Sequence, residues 1–386
     1  MTKSINGIFI IISNSIGAGL LGMPIICSIT GFIPSVILML LIAIYMNMMA
    51  RSIIKTSIIY KSNNILHLSE KTIGKSFKII GLIIYILLFT SILSAYISKS
   101  EDLIQEILNL FTNINIKSEI CYLIIISTTT IIINLKKTNF NNINNILILI
   151  FIIIFILLIY KLFKNSKITH MVTYDVTNIK YTYPILITSF GFHNILPYIK
   201  TTYKKYKKIK KIINIGVALT FCIYTIWIFI ILSIIPTEKL NMIHEYNNDK
   251  IITEIVSNYI DQKNICIMIN AFALLAIITS ILGISVSMKS LFNELLNLNN
   301  NISDKIILNA LIFLPPILII MTCKNIFFTA LNISGGIFAL ILFGLIPNII
   351  ILKNKNNKFK KKTLFIAKFL TIITVLIIIL FITLNI

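Results

Sequence analysis

Long apolar runs separated by short polar connectors fill almost the whole chain. Eleven of them predict helices, over 5–26, 32–54, 79–99, 119–135, 144–163, 183–200, 212–235, 264–290, 305–322, 327–351 and 364–385. A hydrocarbon core takes about 20 apolar residues per helix. The pattern therefore reads as an all-α integral membrane protein with eleven transmembrane helices. The first run is expected to stay in the protein rather than be cleaved as a signal. It passes straight into glycine-rich helix and shows no small-x-small exit before Pro24.

Two runs are interrupted. Ser13 to Pro24 reads S-N-S-I-G-A-G-L-L-G-M-P, and Ser189 to Pro197 reads S-F-G-F-H-N-I-L-P. A glycine costs a helix about 1 kcal/mol against alanine. An unpaired backbone amide in hydrocarbon costs several kcal/mol, so a broken helix survives only where protein or a polar cavity surrounds it. The breaks fall in spans 1 and 6. Gly/Pro-broken spans at matching places in two halves point to the substrate site of a transporter. Spans 1–5 and 6–10 then make two sets of five, and an odd number per set relates them by inversion. The expected division is a first repeat over 1–163, an inverted second repeat over 164–351, and an additional helix over 352–386. Helices 1 and 6 are expected to be unwound at mid-membrane. Beyond the shared break the halves show no sequence identity.

Composition supports the membrane reading. Of 386 residues, 57% are hydrophobic and 12% charged, with a mean hydropathy of +0.93; a soluble domain is about 25% charged. The formal net charge is +22, yet no basic, aromatic-interleaved soluble segment carries it, so nucleic acid is not an expected partner. Ile, Asn and Lys dominate throughout, which suits an AT-rich genome. The distribution of charge is informative. With the N-terminus cytoplasmic, the inside segments hold Lys3, Arg51 to Lys78, Lys136, Lys137, Lys200 to Lys211, Lys289, Lys305 and Lys353 to Lys368, most of the 35 basic residues. Glu70, Glu294 and Asp304 are the acids on that side. This obeys the positive-inside rule, and eleven spans leave the C-terminus on the periplasmic side. The run Lys204 to Lys211 reads as a topology-fixing loop, with a lipid-headgroup patch as the rival.

Enzyme and channel classes find little footing. The sequence has no zinc spacing, nucleophile–base set, Walker loop or haem-spaced histidine pair, so no cofactor and no metal are expected. Repeated filter segments and charged pore rings are also missing. Cys27, Cys121, Cys222, Cys266 and Cys323 are scattered without a C-x-x-C and read as small buried hydrophobes. A subunit of a larger membrane complex is a remote alternative, since proton-moving spans usually carry buried acids or paired histidines.

The breaks offer partners for both signs of charge on a substrate. The start of the outer half-helix, with the amides of Ala18, Gly19 and Leu20, carries about half a positive charge and suits a carboxylate. Gly17 and Gly19 let backbone approach without a Cβ. Carbonyls near Asn14 and Ser15, and near Ser189 and Phe190, suit the ammonium. The rival reading makes Gly17, Gly19 and Gly22 helix-packing residues. Phe190 and Phe192 could wall an aromatic pocket or belong to ordinary core. Thr188 and Gly191 complete the second break. Among four histidines, His193 is the one inside an expected span. It could relay a proton, bond a polar group of a substrate, or simply satisfy a freed carbonyl. In span 3, Ser91, Ser94 and Tyr96 could border the cavity, with an interfacial anchor as the rival for Tyr96.

Gly17-Ala18-Gly19 with Gly22-Met23-Pro24, Ala95-Tyr96-Ile97-Ser98, Thr188 to His193 with Pro197, Ala276 to Gly283 and Phe313-Leu314-Pro315-Pro316 occur in that order. Together they resemble the bacterial aromatic amino acid permeases, and Thr188 ahead of Ser-Phe-Gly-Phe-His brings the chain closest to the tyrosine-specific branch. The resemblance runs over nearly the whole length. It implies an inner-membrane importer of an aromatic amino acid, tyrosine first, by proton symport, with the five-plus-five inverted-repeat fold. Tryptophan or broad aromatic specificity, and sodium-coupled or uncoupled transport, are the alternatives. In this architecture Thr279 and Ser280 of span 8 could ligate sodium against span 1, with helix packing as the rival reading. One departure stands out. Lys55 occupies the end of span 2 where the tyrosine branch carries an acid, and no Asp or Glu lies securely within a span, which leaves His193 as the candidate for ion coupling.

Overall fold

The computed structural model describes residues 3–17, 19–62, 64–112, 116–164, 166–167, 176–236, 256, 263–298, 301–323, 326–353 and 359–385. The described secondary structure is all helical, with no strand among the described residues. The first half holds α1 (Lys3–Ile16), α2 (Gly19–Thr30), α3 (Phe32–Ile59), α4 (Ile65–Thr72), α5 (Lys75–Thr112), α6 (Ser118–Ile133) and α7 (Lys137–Phe163). The second holds α8 (Ile179–Ser189), a 3-10 turn (Phe192–Ile195), α9 (Leu196–Tyr203), α10 (Tyr206–Ile234), α11 (Lys263–Leu296), α12 (Ile302–Thr322) and α13 (Phe327–Ile333). Two π-helical stretches, Ser334–Phe338 and Leu340–Leu345, lead into α14 (Ile346–Leu352), and α15 (Lys361–Asn385) ends the described chain.

Among the described residues, eight helices are long and apolar enough to cross a membrane, or nine if α1 and α2 count as one bent span. The expected span 119–135 forms the sixteen-residue α6, about 24 Å at 1.5 Å per residue and short for a core of about 30 Å. The expected span 183–200 divides into α8, the 3-10 turn and α9, and does not count as one long helix.

Burial sorts the helices into an inner and an outer ring. In α11, 67% of the span is buried, against 22% in both α12 and α15. Leu314, Leu318 and Met321 of α12, and Phe365 and Phe369 of α15, are exposed. Such apolar outward faces suit a hydrocarbon solvent. The inner ring is built from α1, α2, α8 and the 3-10 turn, held by α3, α5, α10 and α11. The junction of α2 and α3 turns on Gly31, whose φ of 89° favours glycine.

Local chemistry explains how the inner helices meet. Pro24 lies inside α2 and has no amide proton for the carbonyl four residues back, that of Leu20. The Trp227 indole N–H from α10 donates to that carbonyl at 2.7 Å. The chain's single tryptophan thus repairs a defect that the proline makes. At the ends of α2 and α8 away from the breaks, the Thr30 and Thr182 hydroxyls bond at 2.6 Å and tie the two helices together. Behind α8, a Cβ on Gly335 would sit 1.8 Å from the Pro184 carbonyl oxygen, so the first π stretch lies against the α8 backbone. Thr188 Oγ1 donates to the Leu331 carbonyl at 2.9 Å just before that stretch. The five cysteines form no disulfide, and Cys222 and Cys323 are exposed rather than buried.

Candidate functional site

The chain breaks at both places marked by the sequence. α1 stops at Ile16, α2 starts at Gly19, and the two are bent by 55°. α8 stops at Ser189 and the chain passes through Gly191 into the 3-10 turn. A Cβ on Gly191 would lie 2.7 Å from the Thr188 carbonyl oxygen, so the turn needs glycine for space rather than for its φ.

The two breaks face one another. A Cβ on Gly19 would lie 2.2 Å from Ser189 Oγ and 2.8 Å from the Tyr224 hydroxyl. A Cβ on Gly17 would lie 2.4 Å from the Tyr96 hydroxyl and 2.6 Å from Ser280 Oγ. Both glycines are thus points of close approach between helices. Tyr224 of α10 sits between the breaks and donates to the carbonyls of both Ser15 and Ser189. One hydroxyl proton is shared between the two open helix ends. Ser280 Oγ donates to the Ser13 carbonyl at 2.8 Å.

The acceptors and donors expected to be open are largely taken. The carbonyls of Ser15 and Ser189 are held by Tyr224. The Leu20 amide donates to the Gly17 carbonyl at 3.3 Å, so it is not the free donor expected of it, because the chain closes a tight turn before α2 begins. Ala18 lies outside the described residues. Ser15 Oγ is buried and makes no hydrogen bond.

Asn14 joins a polar network. Its Oδ1 accepts from Asn194 Nδ2 at 3.1 Å, and the same Nδ2 lies 3.1 Å from Ser287 Oγ. Phe190 packs edge-on against Tyr224, with centroids 5.6 Å apart. His193 is 2% exposed and lies between Phe192 and Phe343, each 4.8 Å away and stacked. Its Nε2 is 3.0 Å from the Met46 carbonyl, while Nδ1 is buried without a partner. A carbonyl only accepts, so Nε2 carries the proton and Nδ1 presents a lone pair.

Other expected residues are turned elsewhere. Ser91 Oγ bonds Leu87 and Ser334, and Ser94 Oγ bonds Thr90 and Pro316; both hydroxyls face the π stretch and α12 rather than the breaks. The α5 side chain that reaches the first break is Tyr96, which is 4% exposed and so is not an interfacial anchor. Thr188 bonds the carbonyls of Pro184 and Leu331. Thr279 Oγ1 returns to the Ala276 carbonyl of its own helix, whereas its neighbour Ser280 reaches α1. Tyr224, Trp227, Asn194 and Ser287 went unmarked in the sequence. Tyr224 and Trp227 stand three apart on one face of α10, an i, i+3 spacing that could have paired them.

The likenesses to known proteins fit this geometry. Two relatives match over most of their length. "Tyrosine-specific transport system 1" of Haemophilus influenzae is 24% identical over 88% of this chain and 85% of its own. "Glutamine transporter 2" of Aliivibrio fischeri is 21% identical over 92% of this chain and 91% of its own. The crystal structure of MhsT in complex with L-phenylalanine superposes with a TM-score of 0.70 at 14% identity, over 99% of this chain and 98% of that one. That likeness shows the fold, the inverted-repeat transporter architecture expected above. The tryptophan/tyrosine permease family matches residues 1–386 from end to end. With apolar helices, two facing helix breaks and this full-length match, the chain belongs to the tryptophan/tyrosine permease family of multi-pass membrane transporters.

Proposed function

We propose that this chain imports an aromatic amino acid, tyrosine before tryptophan, across a bacterial inner membrane by proton symport, with its N-terminus cytoplasmic and its C-terminus periplasmic. The observation that carries the reading is the pairing of the two breaks through Tyr224, which leaves the carbonyls of Ser15 and Ser189 side by side. An ammonium group has three donors where the tyrosine hydroxyl has one. It replaces that hydroxyl on the two carbonyls, and the unpartnered Ser15 Oγ supplies a third acceptor. The carboxylate goes to the start of α2, where the helix dipole puts about half a positive charge. Phe190 and Phe192 supply aromatic wall for the ring. The repeats 1–163 and 164–351 rock about these breaks, and 352–386 braces the second.

His193 couples the proton in this reading, through the Nδ1 lone pair, since Lys55 stands in place of an acid. Ser280, on the Ser13 carbonyl, belongs with Thr279 to the sodium alternative. The likeness to a tyrosine-specific system favours tyrosine, and the family description leaves tryptophan as the second reading.

Uptake of labelled tyrosine by proteoliposomes under a pH gradient without sodium tests both claims. Uphill accumulation, with unlabelled tryptophan, phenylalanine, leucine and glutamine competing less well than tyrosine, supports the reading. In His193→Ala, accumulation falls to equilibrium while exchange persists. Accumulation unchanged in that variant removes His193 from coupling, and stronger competition by tryptophan or glutamine reassigns the substrate.

A further inference from the structure

Below the second break lies a cavity of about 360 Å³, within the size range of small-molecule sites, about 300–1,000 Å³. His193 and Asn194 of the 3-10 turn meet it from one end. Tyr85 of α5, Tyr198 of α9 and Phe343 of the second π stretch line its sides. Ser290 and Glu294, on the last turns of α11, line it and are exposed, so the cavity reaches solvent there.

The charge of this wall is unlike that of the chain. The chain carries 35 lysines and arginines against 13 acids. Among the described residues lining the cavity there is no lysine or arginine, and Glu294 is the one carboxylate; Lys200 of α9 is not in the wall, but its ammonium donates to the carbonyl of the lining residue Ser57 at 2.7 Å and to that of Ser62 at 2.9 Å. A pocket with aromatic sides, one carboxylate and no lining lysine or arginine suits an aromatic ring that bears an ammonium.

A hydrogen-bonded network lies between the cavity and the first break. Asn194 Nδ2 bridges Asn14 of α1 and Ser287 of α11, and Ser287 Oγ donates back to the Asn194 carbonyl at 3.3 Å. A Cβ on Gly283 would lie 2.3 Å from Asn14 Oδ1, so Asn14 has no room to swing toward α11. These side chains link the cavity wall at Asn194 and Ser287 to Asn14, beside the first break.

We propose that this cavity is a second, lower-affinity site for aromatic amines, including the transported amino acid, with the ammonium on Glu294 and the ring against Tyr85, Tyr198 and Phe343. The proposal rests on the reading that the chain carries an aromatic amino acid. It differs from the central site in one respect: nothing in its wall requires a carboxylate on the ligand.

Ser290→Cys in the otherwise native full chain tests it, with a bulky polar thiol reagent and mass spectrometry reading modification at residue 290. Millimolar tyramine, which has the ammonium and ring but no carboxylate, is expected to slow modification about as well as tyrosine. In Ser290→Cys/Glu294→Gln, about tenfold more tyramine is needed, because a charge-assisted hydrogen bond is lost. Protection by tyrosine but not by tyramine, at the concentration that half-saturates uptake, means that residue 290 reports only the central site and overturns the proposal. So does protection untouched by Glu294→Gln, or a residue 290 that is never modified. Tyrosine uptake measured on the same protein separates these results from failure of the transport reading, because tyramine protection does not require transport.

Discussion

At Gly19 a methyl group would lie 2.2 Å from Ser189 Oγ and 2.5 Å from Ser189 Cβ. The clash involves Cβ as well as the hydroxyl, so truncating the serine to alanine does not relieve it. Gly19→Ala is expected to lower tyrosine uptake about tenfold or more, for an overpacking cost of about 1–3 kcal/mol. Gly19→Ala/Ser189→Gly recovers a large part of it. Equal loss in single and double variants, at equal protein in the membrane, would show that the two breaks need not touch. Tyr224 offers a test of opposite sign. Its hydroxyl holds two carbonyls that the ammonium needs, and an unpaired buried acceptor costs about 1–3 kcal/mol. Tyr224→Phe leaves those carbonyls waiting, so equilibrium tyrosine binding is expected to tighten about tenfold while turnover slows. Weaker binding would make the hydroxyl itself a ligand of the substrate.

Among the elements, the breaks were legible because they are local. Glycine at Gly17, Gly19 and Gly191 acts on its own segment of backbone, and α1, α2 and α8 stop or start there, while Pro24 sits inside α2. What repairs each break was not legible. Trp227 and Tyr224 come from more than two hundred residues after the first break, and nothing local to α10 says which carbonyls they meet. Ser91 and Ser94 illustrate the converse: the expected helix is there, but its rotation turns their hydroxyls to the π stretch and α12. The π stretches themselves left no mark, since the close approach of Gly335 to the Pro184 carbonyl joins segments about 150 residues apart in the chain. Among the surface elements, α4 is fixed to α5 by Lys78 on Glu70 at 2.6 Å. That hydrogen bond holds the Glu70 carboxyl below its ordinary value of 4.5. A lowered folded value contributes stability above the ordinary value and loses it as pH falls through the lower one. Thermal unfolding in detergent is therefore expected to lose more between neutral pH and pH below 4.5 in the native chain than in Glu70→Gln, with the difference shrinking in high salt. Parallel pH curves would mean that the pair does not hold α4.

For the whole molecule, hydropathy and order carried the membrane class, the family and the architecture. The count of spans did not transfer directly, because α6 is short and α8 with α9 is interrupted, so neither qualifies as a long apolar helix. The physical claim at this scale is that two open helix ends, brought together by Gly17, Gly19 and Ser189, hold both charges of an amino acid. The most direct measurement is competition for labelled tyrosine uptake from outside by tyramine, which lacks the carboxylate, and by N-acetyltyrosine, which lacks the ammonium. Each missing charge forfeits a charge-assisted interaction of about 1.5–3 kcal/mol, so both compounds are expected to compete at least about tenfold more weakly than tyrosine. If either competes as well as tyrosine, one of the helix ends is not part of the site and the account is wrong.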